Sequence, residues 1–235
     1  MKIALLGYGK MGKVIEKIAV QRGHDIVLKK DKDTSFNGLE NADVAIEFSV
    51  PSSAVENITE CIKNNIPVIS GTTGWLKDYD KICTLCKENN ASFLYGSNFS
   101  LGVNLFFELN DYLSKLLNNH KEYNVSIEEI HHTQKLDAPS GTAITLANTI
   151  INNSDYKGWS LDQNKAEDNI YIDAKRIDNI PGTHTVSYKS NIDDIEIKHT
   201  AHSREGFALG AVVAAEWIID KKGIFSMKDV LKLTN

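Results

Sequence analysis

Residues 129–143 hold the densest set of groups in the chain able to move protons and bind anions. His131 and His132 are adjacent, and Lys135 follows. Asp137-Ala138-Pro139 then turns the chain into Ser140-Gly141-Thr142, a run of small residues that opens a helix pattern. A helix N-terminus presents backbone N–H groups that have no internal acceptor, and it attracts anions. Imidazole changes charge near neutral pH, and a lysine adds a cation. Together these groups suit a carboxylate substrate that is to be protonated. Paired histidines in loops are also common as ordinary polar surface, so the weight falls on the elements that position them.

The first of these elements is at the N-terminus. Lys2–Leu6 reads as a buried strand, and Gly7-Tyr8-Gly9-Lys10-Met11-Gly12 follows it. Met11, Val14, Ile15, Ile18 and Ala19 then recur at helical spacing as far as Gly23. A second strand over about Ile26–Lys30 ends at Asp31, 19 positions after the last motif glycine. A G-x-G-x-x-G between strand and helix, with an acidic residue at that distance, is the context of a dinucleotide fingerprint. The glycines let the backbone turn tightly and approach a pyrophosphate, and Asp31 would accept hydrogen bonds from the ribose. Asp31 favours NADH, whereas Lys29, Lys30 and Lys32 around it favour the 2′-phosphate of NADPH. Both cofactors stay open.

Three more strands follow in the same half. Asp43–Phe48 reads as a strand broken by Ser49–Pro51, with a helix capped near Ser52 or Ser53. Ile66–Ser70 runs into Gly71-Thr72-Thr73-Gly74. A helix over Asp78–Asn89 precedes the strand Ser92–Tyr95, which ends in Gly96-Ser97-Asn98-Phe99. Both loops lie at strand C-termini, the edge where open α/β sheets bind ligands. The order of elements predicts a Rossmann-like doubly wound parallel sheet.

After Ser100 the pattern changes. Leu105, Phe106, Leu109, Tyr112, Leu113 and Leu116 mark a long amphipathic helix. Tyr123, Val125 and Ile127 alternate as a strand leading to His131, and a helix runs from Thr142 to about Ile151. Strand-like stretches at Ile170–Ile177, His184–Tyr188 and Ile192–His199 complete a four-stranded mixed or antiparallel sheet. The second face of that sheet needs a cover, which predicts oligomerisation through it. Helices over Phe207–Ile219 and from Ser226 return to the first half. The expected organisation is a dinucleotide-binding domain over 1–101 and 206–235, with an inserted α+β substrate and oligomerisation domain over 102–205.

Composition narrows the class. The 235 residues carry a formal net charge of −5, without the basic surplus of a general nucleic-acid binder. No apolar run approaches a membrane span and the first residues lack a signal-peptide layout, so a cytoplasmic protein is expected. Cys61, Cys83 and Cys86 are too few and too unevenly placed for a disulfide framework. Cys83 and Cys86 have C-x-x-C spacing but sit in a helical pattern with no second ligand pair, which predicts core packing and no metal.

With these motifs in place, the chain resembles the 4-hydroxy-tetrahydrodipicolinate (dihydrodipicolinate) reductase family nearly end to end. The resemblance rests on Gly7–Gly12, Phe48-Ser49-Val50-Pro51, Gly71–Gly74, Ser97-Asn98-Phe99-Ser100 and, most specifically, Glu129–Ala143. It implies an NAD(P)H-dependent reductase of a cyclic dicarboxylate in diaminopimelate and lysine biosynthesis, assembled as a homotetramer. By motif, His131 and Lys135 match the proton-donating pair. His132, Ser140, Gly141, Thr142 and Arg204 match substrate contacts. Gly7, Tyr8, Gly9, Lys10, Met11, Gly12, Asp31, Phe48, Gly71, Thr72, Thr73, Gly96, Ser97, Asn98 and Phe99 match cofactor contacts. The chain departs from the pattern at Gln134, where several members carry a third histidine or a basic residue. It is also trimmed between the first two strands and over Ser154–Asp168.

Three other readings fit less of the chain. A semialdehyde dehydrogenase needs an activated cysteine in the inserted domain, and all three cysteines precede residue 90. A nucleotide sensor would have no use for His131 and Lys135 beside an anion site. A metal hydrolase built on His131, His132, His199 and His202 lacks an acidic ligand placed with them.

Overall fold

The strand β1 (Lys2–Leu6) is apolar on both faces, and Ile3 to Leu6 are completely buried. Such a run belongs at the centre of a parallel sheet covered by helices on both sides. A computed structural model, which describes residues 1–165, 168–203 and 205–233, places it there. Around it lie β2 (Asp25–Lys30), β3 (Val44–Glu47), β4 (Val68–Ser70), β5 (Ser92–Tyr95) and β11 (Gly223–Phe225). The order across the sheet is β2-β1-β3-β4-β5-β11, and every pair is parallel. This is the doubly wound sheet expected from the sequence, extended by β11, which was not foreseen. A three-residue strand at an edge is too short to show a period.

Alternation along the strands divides the core between two faces. Ile3, Leu5, Val44, Ile46, Ile69 and Leu94 pack on one side with α1 (Lys10–Gln21) and α6 (Glu205–Ile218). Ala4, Leu6, Ala45, Val68 and Phe93 pack on the other with α2 (Pro51–Lys63) and α3 (Tyr79–Glu88). Cys61 and Cys86 are buried in this second face. The start of α2 differs from expectation. Its cap is Val50 with Pro51 at the first position, and neither Ser52 nor Ser53 is the cap. Proline suits that position because its missing N–H would have no acceptor there. In α6, Ala208, Ala211, Ala214 and Ala215 let the helix lie close to the sheet. Closest of all is Gly210, where a Cβ would overlap the carbonyl oxygen of Phe99.

The chain divides into two compact units, Met1–Leu101 with Glu205–Asn235, and Gly102–Arg204. The second holds α4 (Leu101–Leu117, from its second residue), β6 (Asn124–His131) and α5 (Gly141–Asn152). After these come β7 (Gly158–Ser160), β8 (Asn169–Arg176), β9 (Gly182–Lys189) and β10 (Asp194–Ala201). Its sheet has the order β10-β9-β6-β8-β7, with β9 antiparallel to both neighbours and β6, β8 and β7 parallel. Five strands replace the four expected, because Gly158–Ser160 adds an edge too short to register as alternation. One face buries Val125, Ile127, Ile170, Ile172, Val186 and Tyr188 against Phe106 of α4 and Ala143, Leu146 and Ile150 of α5. The short helix α7 (Met227–Val230) is capped by Ser226. Among the described residues no helix is long and apolar enough to cross a membrane.

Candidate active site

In β6 every second residue faces the core of its unit: Val125, Ile127, Glu129 and His131. The last two continue an apolar stripe with ionisable groups, and Glu129 is wholly buried. Strand register assembles their surroundings. Glu129 lies opposite His184 of β9, and His131 opposite Arg176 of β8. Oε1 of Glu129 accepts hydrogen bonds from Arg176 Nη2 (3.0 Å) and from the backbone N–H of Ser140 (3.2 Å). Oε2 contacts Nδ1 of His131 and has no other polar partner among the described residues. Burial pushes the Glu129 carboxyl up, but His131 and Arg176 outweigh it and hold the group at about 2. Glu129 therefore orients the His131 ring as a fixed anion.

Ser140 is the N-cap of α5. Its hydroxyl accepts from the Ala143 N–H (3.2 Å) and lies 3.0 Å from Nε2 of His184. Burial, reinforced by His131, pushes His184 down to about 3, so this imidazole is neutral near neutral pH. The His131 and His184 rings meet edge to face at 5.1 Å. A Cβ on Gly182 would stand 3.1 Å from His131 Nε2, so glycine there leaves room for the ring.

The loop after His131 is braced by Arg176, which donates to the carbonyls of Asp137 (2.6 Å) and Lys135 (3.3 Å). Lys135 Nζ forks onto Asp137 at 2.9 and 2.8 Å, and the ammonium lowers the Asp137 carboxyl. The Ala138–Pro139 peptide is cis. Gly141 is exposed, with open space where a Cβ would point. The amides of Gly141 and Thr142 precede the helical ladder and have no intrahelical acceptor. His132 lies apart from His131, in a recess with Thr133, Asp178 and Pro181, and its buried Nδ1 has no partner among the described residues. Arg204 lies outside the described residues.

His131, Lys135, Ser140 and Gly141 were legible as a sequence motif. Arg176, His184 and Gly182 were not, because only strand register brings them to His131. Among the described residues, Glu129, His131 and His184 have potential ligand atoms within 4.8 Å of one another. Oε1 of Glu129 and Nε2 of His184 also bond to Arg176 and Ser140, which ties the trio into the hydrogen-bond network of the motif loop. His199 is not in it and packs on the Phe106 ring at 6.1 Å.

The first unit carries a different site. Chain order reverses between β1 and β3, the switch point where open α/β sheets bind ligands. A cleft of about 500 Å³ opens there, lined by Gly7, Tyr8, Gly9, Asp31, Lys32 and Phe48 among others. Gly7 has φ +105°, and a Cβ on it would overlap the Phe48 carbonyl. A Cβ on Gly9 would meet nothing within 4 Å, which leaves open backbone beside the start of α1. That helix has no side-chain cap and no acidic residue in its first turn, so its N-terminus is free to face a phosphate. These features fit a dinucleotide.

Asp31 lines the cleft, and its Oδ1 accepts from the Lys32 N–H at 2.9 Å. Of the lysines read from the sequence as its neighbours, Lys30 and Lys32 line the cleft with it. Lys29 pairs with Glu16 at 2.5 Å, and Lys30 lies 4.7 Å over the Phe36 ring. Lys10, Thr73 and Ser97 are exposed, and Gly71, Gly96 and Asn98 half-buried. The Phe48 ring covers Gly71, where a Cβ would overlap it, and stands 5.5 Å from the Phe99 ring. Met11, Gly12 and Phe99, grouped with the cofactor contacts by motif, have core roles. Met11 packs on the α1 side, Gly12 passes too close to the Gly7 carbonyl for any Cβ, and the Phe99 ring is buried. Thr72 is buried as well, against Glu47.

Comparison with known proteins identifies the family. Residues 1–99 match the family model described as dihydrodipicolinate reductase, N-terminus, and residues 102–231 match its C-terminus counterpart. A 4-hydroxy-tetrahydrodipicolinate reductase of Christiangramia forsetii is 61% identical over 98% of both chains. One of Thermosipho africanus is 36% identical over 99% of this chain and 98% of its own. The solved dipicolinate-bound dihydrodipicolinate reductase of Paenisporosarcina sp. TG-14 shares the fold. Its TM-score is 0.80 at 22% identity, over 96% of this chain and 97% of that one. The chain belongs to the dihydrodipicolinate reductase family.

Proposed function

We propose that the chain reduces 4-hydroxy-tetrahydrodipicolinate to tetrahydrodipicolinate with loss of water, drawing on NADH or NADPH, in diaminopimelate and lysine biosynthesis. The observation that carries this reading is the network of Glu129, Arg176 and Ser140. It fixes His131 and the Lys135 loop beside the open amides of Gly141 and Thr142. A bound nicotinamide cofactor supplies the hydride. Hydride addition to the unsaturated ring leaves negative charge to be neutralised by one proton, and Lys135 is the donor, with His131 as its partner. The Gly141 and Thr142 amides take a substrate carboxylate, and His132 and Arg204 serve the same dianion. Ser140 contributes by holding the helix start, since its hydroxyl is committed to Ala143 and His184.

In the other unit the Gly7–Gly12 turn receives the pyrophosphate and Asp31 the ribose. Gly71–Thr73 and Gly96–Phe99, in the loops after β4 and β5, take the rest of the cofactor. Asp31 favours NADH, and Lys30 and Lys32, which line the same cleft, admit the 2′-phosphate of NADPH. A cytoplasmic setting and a homotetramer built through the β10-to-β7 sheet belong to the same reading. The face of that sheet away from α4 and α5 carries Ser126, Glu128, Lys175 and Glu196, a polar surface suited to a second copy.

The test is oxidation of NADH and of NADPH, with substrate generated in place by the preceding synthase from pyruvate and aspartate semialdehyde. Synthase-dependent oxidation is expected with both cofactors. None with either, from folded protein, would refute the reading.

A further inference from the structure

Glu47 ends β3 at zero exposure, directly before Phe48, and the proton chemistry above makes no use of it. Its Oε1 accepts from the Ser49 N–H (3.0 Å), from the Thr72 hydroxyl (2.8 Å) and from the Ser49 hydroxyl. Its Oε2 accepts from the Ser70 hydroxyl at 2.6 Å. Two of these hydroxyls are themselves held as acceptors. Ser49 Oγ receives Asn57 Nδ2 at 3.2 Å, and Thr72 Oγ1 receives the Ser49 N–H at 2.8 Å. The Thr72 proton therefore points to Glu47, and the Ser49 proton to Glu47 or to the more distant Val50 carbonyl at 3.4 Å, so the carboxylate acts as the acceptor in each contact. Among the described residues no lysine, arginine or histidine forms an ion pair with it.

Four dipoles solvate a buried carboxylate but leave its net charge in place. That charge sits at the C-terminal edge of the parallel sheet, beneath Phe48 and Thr72. We propose that Glu47 is the countercharge for the oxidised nicotinamide. It makes the cleft favour the cationic, oxidised cofactor over the neutral, reduced one and thereby strengthens hydride donation. The balance is simple: the reduced ring gives up a hydride, two electrons and a proton together, and is left with one positive charge, while the substrate ring gains the hydride. Phosphates, riboses and adenine are the same in both forms, so a nearby fixed anion acts on the difference alone. The inference rests on the cofactor reading above.

The measurement is the dissociation constant of NADH and of NAD⁺, by calorimetry, for the wild-type protein and for Glu47→Gln, Glu47→Asp and Ser70→Ala. Glu47→Gln is expected to weaken NAD⁺ binding roughly tenfold relative to NADH, the scale of one unit charge about 12 Å from the ring at an effective dielectric of ~20. Glu47→Asp and Ser70→Ala keep the charge and the wild-type ratio. Equal losses for both forms in Glu47→Gln, or a shifted ratio in Ser70→Ala, would overturn the proposal. If Glu47→Gln does not fold, the wild-type constants decide: NAD⁺ binds at least as tightly as NADH, and a clear preference for NADH overturns the inference. Failure of folded wild type to bind either form would instead sink the cofactor reading itself.

Discussion

Glu129 and His184 face each other across the β6–β9 ladder, yet Ser140 joins them. Its backbone N–H goes to the carboxylate, and its hydroxyl to the imidazole. The residue that starts α5 therefore also locks the acid–base strand pair. The start of α5 and the His131–His184 ring pair form one hydrogen-bonded assembly. Disturbing any member should affect binding and proton delivery together.

Replacing Lys135 by Ala removes the proposed proton donor and frees Asp137. Turnover should fall by roughly 10²–10⁴-fold, the usual contribution of a positioned acid, with the dissociation constant for NADH unchanged. Steady-state rates and calorimetry on the same preparation check both parts. A fully active variant would remove Lys135 from the chemistry.

Glu129→Gln leaves Arg176 and His131 without their anion in a buried setting. The expected loss is about 3 kcal/mol of stability, the scale of a broken buried ion pair, read as a lower urea midpoint. Gly182→Ala tests the same ring from the other side. Its methyl would press on His131 Nε2, so activity should fall more than stability.

Acid lability follows from His184. In the unfolded chain its imidazole takes a proton near 6.5, and in the folded chain only near 3. Between those values the unfolded state binds more protons. Stability is thus fully present above about 6.5 and falls as the pH drops toward 3, by up to about 1.4 kcal/mol per unit. Glu129, held at about 2 against an ordinary 4.5, adds a loss of the same sign at lower pH. Urea midpoints from neutral to acidic pH should trace this slope, and His184→Gln should flatten it.

Asp31→Ala should weaken NADH several-fold more than NADPH, because the carboxylate serves a free ribose hydroxyl and repels a 2′-phosphate. Equal losses, measured as dissociation constants, would count against its role as the ribose reader.

Much of this was legible in the sequence because it was local. The Gly7–Gly12 turn lies between a strand and a helix that announce themselves by period, and His131 to Thr142 is one contiguous motif. The inserted unit was visible from the change of texture after Ser100. What escaped notice depends on register. Arg176 and His184 look like ordinary strand residues until β8 and β9 flank β6. Glu47 reads as the polar end of an apolar run, and only the return of Ser70 and Thr72 from β4 reveals its cradle. The contacts of two lysines near Asp31 are of the same kind, since Lys29 meets Glu16 and Lys30 the Phe36 ring only in the fold.

The first unit closes with β11 and α6, which come after the inserted unit in the chain. On a ribosome, the face of the parallel sheet built from Ile3, Leu5, Ile46 and Leu94 emerges long before Ala208, Ala211, Ala215 and Ile218 exist to cover it. The inserted unit is continuous and can be completed first. The nascent nucleotide half therefore waits with that face covered by α1 alone. A stop codon or frameshift after residue 204 would leave the α6 half of that face uncovered for good, turning a late truncation into an aggregation-prone chain.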